Sequence, residues 1–317
     1  MTHYDPSSYR VIFFSSAPIG VPFLQNLMND NRFEVIGVVT QPDKPAGRGM
    51  QMQENVIKTT ATTLIEHSPD NFISTPSSIN PDKSLEGKTF YDWLKDKNAD
   101  FFVVISYGKI LPQSILDLPK FGCINIHGSL LPKYRGPSPL QSVFLEKEKE
   151  SGITIMKMDA SMDTGDIIDN IKITIPFNWT VKELIEKFEK IGPNFLNNTL
   201  WDFGKGDIGT KKQDENNIIL TKKIEKVDGF FVLSSDTLDD IYAKYRAFTL
   251  RPKISFIRQD KKIIIEKLII DEGLFEIHKA EPLLTDGNLN LAVKDISLKP
   301  EGKKSIDWKS FVNGYLK

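Results

Sequence analysis

The chain has 317 residues, more than one hydrophobic core usually spans, so two domains are expected. Hydrophobic residues at 40% and charged residues at 26% describe a globular protein and exclude wholesale disorder. A formal net charge of −1 excludes a whole-molecule polyanion binder, but residues 217–317 hold 18 Lys+Arg against 15 Asp+Glu, a surplus of +3 that leaves −4 for the rest.

A single cysteine, Cys123, excludes an internal disulfide framework and a cysteine-cluster metal site; in its apolar run GCINI it reads as a buried structural residue. The histidines His3, His67, His127 and His278 include no two at metal-ligand spacing, so no metal is expected. The polar start MTHYDPSSYR lacks a signal-peptide core, and no run approaches the ~18 apolar residues of a membrane span. A cytoplasmic protein without membrane association is expected.

In chain order, Arg10–Ser15 reads as a strand, Ser16–Gly20 as a turn and VPFLQNLMN as a helix. Phe33–Thr40 is a second strand, apolar through its centre as when both sheet faces are covered. Asn55–His67 reads as helix, Phe72–Ser74 as a short strand, and Thr89–Lys97 as helix. Asp100–Ser106 carries the strongest buried-strand signal, and Gly122–His127 follows as another strand. Gly152–Asp159 and Ile167–Ile175 continue the sheet, and Thr180-x-x-Glu183 opens an amphipathic helix with a capping box.

Strands alternating with helices predict a Rossmann-like, mostly parallel α/β sheet with helices on both faces, whose ligands bind beyond the carboxyl ends of the strands. The polar residues Ser16, Tyr107 and Asn125–Ser129 fall at those ends. The polar, aperiodic stretch 205–217 (KGDIGTKKQDENN) reads as a linker between a domain over 1–204 and one over 218–317. The second holds a helix near Thr237–Phe248 and β-branched runs at Lys253–Arg258, Lys262–Ile270, Leu274–His278 and Leu289–Val293, a pattern that predicts a small OB-like β-barrel.

No GxGxxG, GxxxxGK or GxSxG motif is present, so dehydrogenases, P-loop NTPases and α/β-hydrolases lose their main support. The informative segment is CINIHGSLLPKYRGPSPLQ, residues 123–141. Strand alternation puts Asn125 and His127 on one face, where an amide and an imidazole can donate to one small polar group as negative charge develops on it. The imidazole can also shuttle a proton. The same pair can merely cap a strand end, so alone it does not decide. Further on, MDTGD (162–166) follows the strand GITIMKMD; Asp166 reads as a turn residue, and Asp163 is open between turn and chemistry.

Together these segments, in order and at this spacing, resemble the folate-dependent formyltransferase family from near Arg10 to about Gly206. The resemblance implies transfer of formyl from 10-formyltetrahydrofolate, as co-substrate, to an amine. It gives the formyl oxygen to Asn125 and His127, and the orientation of His127 and the amine's protons to Asp163. The folate would lie near Ser129, Leu130, Leu131 and Pro132, with Tyr107 and Gly108 close to its pterin.

The loop TQPDKPAGRG (40–49) reads as a surface loop, yet it resembles the one by which tRNA-directed members of that family engage the acceptor end. That likeness implies initiator methionyl-tRNA as partner, with Lys44 and Arg48 as contacts. Met50-Gln51-Met52-Gln53 departs from the lysines usual after this loop. LSSDTLDDIYAKYRAFTLRP resembles a helix and turn of the same proteins, Thr249-Leu250-Arg251 departing from pattern; Lys222, Lys223, Lys303 and Lys304 are candidate phosphate contacts. A sugar-nucleotide amine is the alternative acceptor, and no obligate protein partner is expected.

Overall fold

The computed structural model describes residues 7–46, 51–64, 72–285 and 288–316. The chain forms two compact units: Met1–Arg135 with Gly152–Lys172 and Lys187–Ile219, and Gly136–Ser151 with Ile173–Glu186 and Leu220–Lys317.

The chain order is β1 (Tyr9–Ser15), α1 (Val21–Met28), β2 (Phe33–Val39), β3 (Lys44–Ala46), β4 (Gln51–Gln53), α2 (Val56–Leu64), β5 (Ile73–Ser74) and α3 (Leu85–Asp96). It continues through β6 (Phe101–Ile105), α4 (Gln113–Leu116), β7 (Cys123–His127), α5 (Pro139–Leu145), β8 (Glu150–Lys157), β9 (Ile167–Thr174) and α6 (Val181–Lys205).

The sheet of the first unit runs β5-β2-β1-β6-β7-β8-β9. Its pairs from β5 to β7 are parallel, and β7 pairs with β8 antiparallel. The reason is legible in β6: FFVVI is buried at every position, as a central strand covered on both faces must be. On one face Ile12, Phe14, Phe102 and Val104 pack with Phe90 and Leu94 of α3 and Ile115 and Leu116 of α4. On the other, Tyr9 meets Phe101, Phe121 and Trp201 edge-on at 5.4, 5.6 and 5.5 Å. The sheet order reverses between β1 and β6, which opens a crevice at their carboxyl ends.

The second unit adds α7 (Leu238–Ala247), β10 (Ser255–Arg258), β11 (Lys261–Ile270), α8 (Glu272–His278), β12 (Leu284–Thr285), β13 (Asn288–Leu289), β14 (Val293–Pro300), β15 (Ile306–Asp307) and α9 (Trp308–Phe311). Its sheet, ordered β10-β11-β14-β15, is antiparallel and compatible with the small barrel expected from the sequence.

Two expected strands are corrected. Leu274–His278 lies in α8, because the Asp271 carboxylate accepts the Leu274 N–H at 3.0 Å and caps a helix in which only Phe275 is buried. Leu289–Val293 is broken at Asn290, whose side chain accepts the Ala292 N–H and donates to the His278 and Pro282 carbonyls; the long strand starts only at Val293.

Arg246 on α7 has no carboxylate partner among the described residues. Its guanidinium donates to the Trp179 and Pro176 carbonyls at 2.6 and 2.9 Å and lies over Phe144 at 4.8 Å. Charged donors to carbonyls at this depth contribute about 2–3 kcal/mol. Arg246→Met is expected to lower the free energy of unfolding by that amount, and Arg246→Lys to recover only part, since an ammonium lacks the planar fork. Urea unfolding of the three proteins checks both expectations.

Candidate active site

Two left-handed residues mark the crevice: Ser106 (φ 47°) and Gly108 (φ 78°) turn the chain away from the end of β6. Around them Ser16 N donates to the Ser106 carbonyl at 3.2 Å, Gln41 N to the Ser16 hydroxyl at 3.0 Å, and the Gln41 amide to the Tyr107 carbonyl at 2.7 Å. Asn55 donates to the Ser16 carbonyl at 3.3 Å. The wall is therefore backbone and amide rather than charge. Tyr107 is 2% exposed and packs edge-on to Phe14 at 5.5 Å, so what it can offer a ligand is its backbone. Ile110 by contrast is 74% exposed, an apolar face past the end of β6.

Asn125 and His127 share one face of β7. Asn125 is half-buried, and its amide has no hydrogen-bond partner among the described residues. His127 is 5% exposed. Its Nε2 lies 2.9 Å from the Tyr134 carbonyl, which can only accept, so Nε2 carries the proton and Nδ1 faces the site. Nδ1 stands 3.7 Å from Oδ2 of Asp163, a carboxylate 15% exposed in the turn between β8 and β9. Burial pushes the His127 pKa below its ordinary 6.5, opposed by the Asp163 carboxylate and the Tyr134 carbonyl.

The turn has its own supports. Asp163 is left-handed at φ 57°, and the Asp159 carboxylate accepts the Ser161 N–H at 3.0 Å and the Thr164 hydroxyl at 2.6 Å. Gly165 is required, since a Cβ there would collide with the Lys157 carbonyl. The run after β7 is held equally firmly. Buried Thr154 donates to the Ser129 carbonyl at 2.7 Å and accepts the Leu131 N–H at 3.1 Å. Ser129 is itself buried and donates to the Lys133 carbonyl at 2.7 Å; Leu131 is buried, and Leu130 and Pro132 are half-buried.

Three residues that matter locally escape a reading of the sequence: Thr154, Arg135 and Gln213. Gln213 lies in the stretch read as linker, yet its amide donates at 2.8 Å to both the Asp163 and Gly165 carbonyls. No periodicity or motif around Gln213 signals a contact so distant in sequence.

Of the tRNA candidates, Arg48 lies outside the described residues. The described flanks of its loop pair as the β3–β4 hairpin, so Gln51–Gln53 serve as strand, and Asp43 fixes the base by accepting the Asn55 N–H at 2.9 Å and Lys58 at 2.8 Å. Lys44 belongs to β3. Lys222, Lys223, Lys303 and Lys304 are exposed in the second unit; Lys222 pairs with Asp228 at 3.2 Å and Lys303 lies 5.9 Å over Tyr315. No helix of the described residues is long and apolar enough to cross a membrane, and no cluster there could hold a metal ion.

The His127 environment dictates a pH effect. Between pH 6.5 and the lower folded value, the unfolded chain binds a proton that the folded chain does not. Stability therefore falls as pH drops through that window, by up to about 1.4 kcal/mol per pH unit for one proton. Calorimetry of wild type and His127→Gln should show this part of the acid dependence vanish in the variant.

A standing amide donor beside a buried imidazole–carboxylate pair suits acyl transfer to an amine. Cys123, with its thiol pushed up by burial and facing the Leu116 carbonyl, is no nucleophile. The family described as formyl transferase matches residues 9–200. The chain is 34% identical over 313 residues to the methionyl-tRNA formyltransferase of Campylobacter jejuni (strain RM1221), covering 96% of both chains. It therefore belongs to the formyl transferase family. Its curated relatives there include methionyl-tRNA formyltransferases of Campylobacter jejuni, Bdellovibrio bacteriovorus and Chlamydia caviae.

Solved structures share the fold. WlaRD, a sugar 3N-formyl transferase solved in the presence of dTDP and 5-N-formyl-THF, superposes with a TM-score of 0.61 at 19% identity, covering 95% of this chain and all of the other. Methionyl-tRNA formyltransferase from Clostridium thermocellum gives 0.54 at 15% identity, covering 84% of this chain and 95% of the other.

Proposed function

We propose that this chain transfers the formyl group of 10-formyltetrahydrofolate to the α-amino group of initiator methionyl-tRNA. The observation that carries the reading is end-to-end likeness, over 96% of both chains, to proteins of that name. The likeness includes the C-terminal region, which in this reading (218–317, after a linker over 205–217) faces RNA. The sugar-nucleotide alternative has support only from the fold.

In the proposed reaction the amine attacks the formyl carbon, and the formyl oxygen becomes an alkoxide held by the Asn125 amide. The amine's proton passes to the His127–Asp163 pair. Protonated on both nitrogens, His127 keeps its Nε2–H on Tyr134 and turns Nδ1–H toward the oxyanion. Collapse breaks the bond from the carbon to the folate nitrogen, which takes up that proton. One proton moves from amine to leaving nitrogen, and no enzyme atom bonds to the formyl carbon. The donor fits along Gly108, Leu130, Leu131 and Pro132, with backbone from Tyr107 and Ser129: the bend at Gly108 leaves no room for a Cβ, which would meet the Gln41 amide at 2.8 Å, and the exposed face of Ile110 suits a flat ring.

The test offers limiting donor to methionyl initiator tRNA and an amino-sugar nucleotide together. Label on the tRNA supports the reading; label on the sugar alone overturns it. Arg48→Ala is expected to weaken tRNA use by about 1–3 kcal/mol, seen as a raised KM for tRNA, with folate affinity unchanged in a fluorescence titration.

A further inference from the structure

The paired groups of the site are held by one strap of chain. Residues 210–219 leave α6 and lie along the turn that carries Asp163. Lys211 and Ile167 exchange backbone hydrogen bonds at 2.8 and 2.7 Å, and Thr210 donates to the Asp166 carboxylate at 3.2 Å. Gln213 then enters the interior, 7% exposed, and spends its whole amide there. Its nitrogen donates to the Asp163 and Gly165 carbonyls, and its oxygen accepts from Nε of Arg135 at 2.9 Å. A flipped amide would set oxygen against two carbonyls and NH₂ against a guanidinium, so its orientation is fixed.

Arg135 is 4% exposed and also reaches Glu215 at 3.2 Å. The peptide joining Tyr134 to Arg135 works in both directions. Its carbonyl accepts the Nε2–H of His127, and its N–H donates to the Ile219 carbonyl at 2.9 Å. The strap thus grips the backbone of Asp163 at one end and the peptide that seats His127 at the other. Nδ1 and Oδ2 at 3.7 Å are beyond hydrogen-bond reach of each other, so the backbone that carries the imidazole and the carboxylate contributes to their separation, and the strap holds that backbone at both ends.

We infer that Gln213, locked by Arg135, is a positioning residue that sets the His127–Asp163 geometry for formyl transfer. The inference rests on the proposed role of that pair. Misplacement of reacting groups by as little as ~1 Å can cost on the order of 10² in rate.

The experiment uses the full-length protein carrying Gln213→Met, which keeps the shape and loses both donors, and Gln213→Glu, which keeps the Arg135 contact and turns oxygen on the two carbonyls. Each is expected to lower kcat on the order of 10- to 100-fold, with KM for donor and tRNA within about three-fold, consistent with a loss confined to geometry. The His127 imidazole titration, followed by ¹⁵N NMR, should move in both. In an Asp163→Asn background, Gln213→Met should cost little more. Unchanged kcat and an unchanged His127 titration in a folded Gln213→Met protein would overturn the inference while leaving the pair's role intact. Unchanged turnover in Asp163→Asn alone would overturn the pair's role instead. Should Gln213→Glu fail to fold, Gln213→Met with its NMR readout decides; should both fail, Arg135→Lys, which keeps the charge and shifts the contact to Gln213, is read the same way.

Discussion

His127→Ala is expected to lower kcat for formylation of methionyl-tRNA on the order of 10²–10³-fold, with KM for both substrates little changed. The magnitude follows from what His127 does only in the transition state. In the resting protein its ring is buried and neutral, Nε2–H is committed to Tyr134, and Nδ1 offers a lone pair that cannot donate to a formyl oxygen. Only when the amine gives up its proton does Nδ1–H appear, opposite Asp163, and only then is there an alkoxide to receive it. An interaction absent from the ground state leaves binding untouched and appears wholly in kcat. Steady-state kinetics with each substrate saturating measures it; an equal rise in KM with kcat intact would assign His127 to binding.

Asp163→Asn is expected to cost as much or more, on the order of 10²–10⁴ in kcat, because the amide cannot take up the amine's proton or favour the imidazolium. The variant is a clean one. Position 163 is left-handed at φ 57°, a conformation asparagine adopts readily, and the turn is also held through the Asp163 backbone carbonyl and the Asp159 carboxylate, which the substitution leaves in place. Folate titration should therefore match wild type while single-turnover transfer collapses. The His127 pKa should fall further, since the carboxylate that opposes desolvation is gone.

Much of this arrangement was legible in the residues. FFVVI carries the signal of a strand buried on both faces, and the alternation in CINIH puts Asn125 and His127 on one face. What spacing could not supply was pairing across long stretches of chain. Gln213 meets Asp163 across 50 residues and Arg135 across 78, in a polar segment whose composition is that of an ordinary loop. Tyr107 was placed near the folate by resemblance, and its aromatic side chain proves to be core, leaving its backbone at the crevice. Local chemistry misled in two places, at Asp271 and Asn290, where a single capping or turn-forming side chain outweighed β-branched neighbours.

The central claim is that formyl passes directly from the folate donor to the amine of methionyl-tRNA, with the buried pair taking the amine's proton. Protein loaded with radiolabelled 10-formyltetrahydrofolate, mixed with methionyl initiator tRNA and quenched within one turnover, tests it most directly. The account predicts label on the methionine amine, none on the protein, and near loss of transfer in Asp163→Asn. Label trapped on the protein, or methionyl-tRNA left unformylated while the donor is consumed, would contradict it.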